Sequence, residues 1–139
     1  QYYRRSREQE TSYIGAGCGR IEWVERGGVF DRRTCRAAAR GGQLGVLQWL
    51  RERGCPWDET TCTGAAWGGN LEVLQWLREE GCPWNVLTCY FAAKGCHLDL
   101  LRWALENGCP YDQCDFENIT DPDFLEWLER FEQEGGSME

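Results

Sequence analysis

Histidine occurs once in this chain, as His97, methionine once and proline four times. One imidazole does not make a nucleophile–histidine–carboxylate triad, so no catalytic residue is expected and the chain does not read as an enzyme. No Cys-x-x-Cys pair is present. Cys109 and Cys114 come nearest, and two thiols do not complete a tetrahedral metal site, so no metal is expected. GAGCG, at 15–19, lacks the spacing and strand context of a dinucleotide loop, and no cofactor is expected. No apolar run approaches the ~20 residues of a membrane span, so no membrane insertion is expected. Basic residues are also short: 15 Lys and Arg stand against 23 Asp and Glu, a net charge of −8. That balance argues against a nucleic-acid partner, because phosphates select clusters of Lys and Arg.

The 139 residues are 42% hydrophobic and 27% charged, enough for one domain with its own core. The opening QYYRRSREQE is polar and carries no secretory signal. It begins without Met, which reads as a processed form or a fragment, and GGSME at the other end is set aside as a tail. The expected location is intracellular and cytoplasmic, with an organelle left open by a processed N-terminus. Charge is uneven along the chain. Arg4, Arg5 and Arg7 lie at the start, and after Cys114 acids dominate, opposed only by Arg130. The acidic end is either a solvated surface or a patch for a basic partner.

Three residue types are abundant: nine Cys, eight Trp and seventeen Gly. They are periodic. Cys35, Cys62 and Cys89 stand 27 residues apart, as do Cys55, Cys82 and Cys109, and Trp49, Trp76 and Trp103. Three units therefore run over 34–60, 61–87 and 88–113. A period of this size means stacked supersecondary units, of which at least three are needed to bury a shared core. Within each unit Thr34, Thr61 or Thr88 is the expected N-cap of a short Ala-rich helix. Gly41-Gly42, Gly68-Gly69 or Gly95-Cys96 ends that helix. A second helix carries an apolar stripe such as Leu44, Leu47 and Leu50 with Val46. Gly54, Gly81 or Gly108 stops it, and Pro56, Pro83 or Pro110 follows. The recurring GCPW phrase is thus a joint between units, not a site. Residues 13–33 read as a degenerate N-terminal capping unit behind a polar, basic arm at 1–12. Residues 114–133 read as an acidic C-terminal capping unit whose helix starts at Thr120 or Asp121 with Pro122, and 134–139 as the tail.

AAWGGNLEVLQWLREEGCPWN, at 65–85, and AAKGCHLDLLRWALENGCPYD, at 92–112, resemble the ankyrin repeat, with its alanines, glycine, apolar helix and Gly-Ala-Asp-Val-Asn-like turn. The resemblance is strong over 34–113. The ankyrin unit has roughly 33 residues, so about six are missing here, placed at the protruding β-hairpin. The Thr-Pro-Leu-His opening is replaced by sequences such as Thr60-Thr61-Cys62-Thr63. The Cys- and Trp-rich unit is similar to short ankyrin-like repeats of protists, algae, oomycetes and giant viruses. It implies an all-α solenoid of stacked antiparallel helix pairs without β-hairpin fingers.

By the same resemblance Cys35, Cys62 and Cys89 occupy a buried Leu position, and Cys55, Cys82 and Cys109 a buried Ala position. Reduced, buried thiols are the expectation. Bridges within units, Cys35–Cys55, Cys62–Cys82 and Cys89–Cys109, are the alternative, and a Cys55–Cys62 link across the joint is its rival. Trp49, Trp76, Trp103 and Trp127 share a position that ankyrin units fill with Leu, and are expected to be buried core. Trp57, Trp84 and Tyr111 are expected to staple neighbouring units. First-helix positions that differ between units have no packing duty, so Arg36, Arg40, Thr63, Trp67, Tyr90, Phe91 and Lys94 are the candidate contact residues. Arg and aromatic side chains are the types favoured at binding hot spots. The expected function is a protein–protein interaction module or scaffold gripping a partner protein on its concave face. A structural subunit of a larger complex and a redox-responsive cysteine-rich domain are the alternatives.

Overall fold

The structure is a computed structural model that describes residues 16–19, 21 and 30–135. The arm at 1–12, most of the capping unit at 13–33 and the last four residues of the tail lie outside the described residues. Their regular structure is all helical, with no strand among the described residues. The helices are α1 (Arg32–Arg40), α2 (Leu44–Glu52), α3 (Glu59–Trp67), α4 (Leu71–Glu79), α5 (Val86–Lys94), α6 (Leu98–Glu106), a 3₁₀ turn (Gln113–Phe116) and α7 (Pro122–Gln133). No helix among the described residues is long and apolar enough to cross a membrane.

The first helices begin three residues earlier than Thr34, Thr61 and Thr88 suggest. Asp31, Asp58 and Asn85 are the N-caps, accepting from the backbone N–H of Arg33, Thr60 and Leu87 at 2.9, 2.9 and 3.0 Å. Asp and Asn are at least as good as Thr at this position, so the upstream residue wins. The threonine falls at the third helical position and is fully buried. In the first unit it closes a capping box, with the Asp31 N–H donating to Thr34 Oγ1 at 3.2 Å. At the other end of the chain α7 starts as read, with Asp121 as cap and Pro122 in the first turn.

Each helix of a unit ends in the same way. The N–H of Cys55 bonds to the Leu50 carbonyl at 3.0 Å and that of Gly54 to Arg51 at 3.0 Å. This double closure is a Schellman motif, and it needs the left-handed φ of +78° that Gly54 adopts. Gly81 and Gly108 repeat it. The first helices close likewise at Gly42 and Gly69. At the third copy Cys96 takes φ +57° in place of a glycine.

Packing follows sequence order. α1 lies on α3 and α3 on α5, and each of these also packs on the second helix of its own unit. Leu47, Leu50, Leu74, Leu77, Leu101 and Leu105 are fully buried among Ala38, Ala65, Ala92 and the six repeating cysteines. The tryptophans differ from expectation. Trp49, Trp76, Trp103 and Trp127 are half-buried and lie against this core, not in it. The second helices that carry Trp49, Trp76 and Trp103 face a seam between units. There Phe30 meets Trp49, Trp57 meets Trp76 and Trp84 meets Trp103 edge to face, with centroids 5.7, 5.8 and 6.0 Å apart. The Arg51 and Arg78 guanidiniums lie over Trp57 and Trp84 at 3.9 and 4.2 Å and donate to the Cys55 and Cys82 carbonyls.

Small residues let the first helices approach. A Cβ on Gly68 would stand 2.3 Å from the Arg40 carbonyl oxygen, and one on Gly64 2.9 Å from that of Arg36. By contrast Gly45 on α2 has nothing within 4 Å of its missing Cβ. Gly68→Ala should therefore destabilise the protein by about 1–3 kcal/mol through forced backbone movement. Gly45→Ala should stabilise it by about 0.5–1 kcal/mol through helix propensity. Urea unfolding of the two variants checks the pair; equal effects would contradict this packing.

Candidate functional site

A groove of about 880 Å³ runs across α1, α3 and the start of α5. Its base is built from small side chains, Ala37, Gly64 and the buried Thr63, whose hydroxyl donates to the Glu59 carbonyl at 3.1 Å. α1 supplies Arg33, Arg36 and Arg40 to one wall. These positions share one helix face, because residues three and seven apart are neighbours on a helix surface. The large side chains next to them are apolar. Trp67 and Phe91 stack with centroids 4.8 Å apart and planes 9° from parallel, and Leu87 stands beside them.

Arg40 lies over the Trp67 ring at 3.9 Å, and Tyr90 meets Phe91 edge-on at 5.0 Å. The Lys94 ammonium sits over Tyr90 at 5.6 Å. One continuous strip thus links Arg40, Trp67, Phe91, Tyr90 and Lys94 across three helices. Of the seven contact candidates, Arg36, Arg40, Thr63, Trp67 and Phe91 line the groove, and Tyr90 and Lys94 extend the strip beyond it. Thr63 is only 8% exposed, so it shapes the floor more than it offers contact. Trp67 and Leu87 remain open, at 46% and 44%.

Comparison of single units missed Arg33, Leu87 and Glu59, which also line the groove. Arg33 could have been found three residues before Arg36 on the same face. It also missed the capping of one unit by the next. The Asn70 side chain donates to the Ala39 and Arg40 carbonyls at 2.8 and 3.0 Å. One period on, His97 Nε2 lies 3.1 Å from the Trp67 carbonyl. The sole histidine thus reaches one helix-end carbonyl of the preceding unit.

The six repeating cysteines are buried and unbridged. They meet in the pairs that the alternative reading required. Cys35 Sγ donates to Cys55 Sγ at 3.4 Å, and Cys55 Sγ donates in turn to the Asp31 carbonyl at 3.4 Å. Cys82 and Cys109 make the same contact with Asp58 and Asn85, at 3.4 and 3.7 Å. Each such thiol therefore ties the end of a second helix to the cap of the first. The hydrogen bond from Cys35 lowers the Cys55 thiol, whereas the shared hydrogen bond and burial push the Cys35, Cys82 and Cys89 thiols far above their ordinary value. These are protonated packing groups, not nucleophiles. Cys18, Cys96 and Cys114 are exposed. Among the described residues no group of three potential ligands is placed to hold a metal ion.

No protein-family model matches the chain, and no curated protein matches it either.

Two outcomes follow from the thiols. Alkylation of the native protein should modify Cys18, Cys96 and Cys114 quickly and the other six only on unfolding. Cys114 should lag a free-cysteine peptide, because its hydrogen bond to Asp112 raises its pKa. Peptide mapping reads both, and early labelling of Cys62 or Cys89 would contradict their burial. Stability should also fall in alkali. Below the ordinary thiol value of 9.0 both folded and unfolded chains hold these protons. Above it the unfolded chain ionises while the native Cys82 and Cys89 thiols do not, so stability drops as pH rises past about 9, the opposite shifts of Cys35 and Cys55 offsetting each other. Urea midpoints between about pH 8 and 10.5 should decline, and less steeply in Cys89→Ala.

Proposed function

We propose that this chain is a non-enzymatic protein–protein interaction module: an ankyrin-like solenoid of antiparallel helix pairs that holds a partner protein on the concave face of its first helices. The observation that carries the reading is the groove. Five residues picked out because they vary between otherwise repeating units converge on one concave, basic and aromatic surface. Residues that vary where their neighbours repeat are free to serve specificity, while the repeating ones hold the stack. The order of packing, α1 on α3 on α5, and the 27-residue period support the solenoid and the ankyrin resemblance. The absence of strands among the described residues fits a unit shortened at its hairpin. An intracellular, reducing location goes with the reading, supported by six unbridged thiols in the core.

A second reading, a redox-responsive domain, is favoured by one observation, the 3.4 Å approach of Cys35 and Cys55. Burial of that pair on both sides argues against it, since an oxidant would reach the thiols only through opening of the helix pair.

Replacing Arg40, Trp67 and Tyr90 together by Ala should weaken binding of a partner captured by pull-down and identified by mass spectrometry. The expected loss is tenfold or more, given the hot-spot character of such side chains, with the helical circular dichroism intact. Binding that survives this change and disappears on deleting residues 1–10 would favour a structural subunit anchored through its arm.

A further inference from the structure

The groove carries a charge opposite to that of the chain. Among its lining residues stand Arg33, Arg36 and Arg40 against one acid, Glu59, in a protein of net charge −8. The Arg33 guanidinium is engaged by Asp31 at 3.4 Å. Arg36 and Arg40 form no ion pair among the described residues, which pair only Arg32 and Arg33. Beside them lies the apolar surface of Trp67, Phe91 and Leu87. We propose that the groove binds an acidic peptide segment of a partner protein, with an apolar side chain adjacent to its carboxylates. This inference rests on the protein-binding reading above and names the chemistry of the partner.

The geometry of the strip selects a carboxylate and disfavours a nucleic acid base. Trp67 lies on α3, between α1 and α5. Arg40 reaches its ring from α1, and Phe91 stacks on it from α5. Both faces of the indole are therefore taken, and what remains open is its edge. A base needs a free aromatic face to stack on. An aliphatic or aromatic peptide side chain does not, because ring edges accept apolar contact and edge-to-face packing. Arg40 keeps its contact with the indole while exposed and without an ion-pair partner among the described residues, so its N–H fork is available to a ligand. That fork is the part that binds a carboxylate bidentately. Holding the guanidinium 3.9 Å above the indole also restricts its side chain, so less side-chain entropy is lost on binding. The acidic remainder of the protein repels a polyanion at long range, while a short segment with few carboxylates is steered into the local positive field. The cavity volume, about 880 Å³, suits a short segment and not a folded domain.

The test is selection of a random peptide library displayed on phage against the immobilised full chain, followed by fluorescence anisotropy with the enriched peptide. We expect Asp or Glu next to Phe, Trp or Leu in the enriched sequences. Gln in place of the peptide's acids should weaken binding at least tenfold, and so should Arg36→Gln with Arg40→Gln in the protein. Both arginines are exposed, and circular dichroism checks that the variant is folded. Enriched peptides without acids, lost on Trp67→Ala, would overturn the acidic chemistry and leave the groove reading standing. Peptides indifferent to both variants would overturn the groove reading as well. Failure to enrich any sequence, or tighter binding of an oligothymidine than of the acidic peptide, would overturn the present proposal.

Discussion

Backbone-to-backbone approach of successive first helices is the contact on which the other features depend. It requires glycine at 41, 64 and 68, where a Cβ would stand within 3 Å of a neighbouring carbonyl oxygen, and alanine at 38, 65 and 92. Once α1, α3 and α5 lie this close, the ends of consecutive helices come within reach of each other's side chains. Asn70 and His97 then satisfy carbonyls one unit back, and arginine and aromatic side chains on the exposed side are forced into a continuous stack. The groove is thus a by-product of tight packing, since small residues leave a shallow floor and the large ones rise at its walls.

Interior and surface divide the chemistry between them. Six thiols are committed to the interior, where each second cysteine donates to a helix-cap carbonyl that already accepts backbone N–H groups. A buried thiol at this position acts as a small apolar group with a weak donor. Valine would fill similar space and leave the donor contact unmade. The exposed residues carry what varies. Arg40, Trp67 and Lys94 occupy equivalent positions in successive units and could hardly differ more in shape.

The helix boundaries at glycine were legible because positive φ is a local demand that one residue type meets cheaply, and every Gly-Cys-Pro joint repeats it. Cysteine at 96 shows the limit, because there the same backbone is held by a residue that sequence reasoning would not choose. The caps were misplaced by three residues because threonine was weighed without the Asp or Asn that precedes it in every unit. The tryptophans were read as core because their period matches that of the leucines. Period fixes which residues are equivalent; it does not say whether the shared face looks into the core or along a seam. The groove was half legible: variation between units found Arg40 and Trp67, and missed Leu87 and Glu59, whose role exists only when two units are side by side.

The polar side chain that caps the preceding unit has a consequence for how such a chain can change length. The segment 61–87 brings with it Asn70, which serves the carbonyls before it, and a Trp67 carbonyl that waits for the side chain after it. It also brings one half of each aromatic contact across both of its seams. A tandem duplication of this stretch would join to itself with every one of those partners in place, and a deletion of it would rejoin its neighbours equally well. The third unit is less interchangeable, because Leu105 stands where Arg51 and Arg78 clamp the joint and Tyr111 where they find tryptophan. The central unit can therefore be added or removed with its contacts kept, while the third stays matched to the acidic helix that follows it.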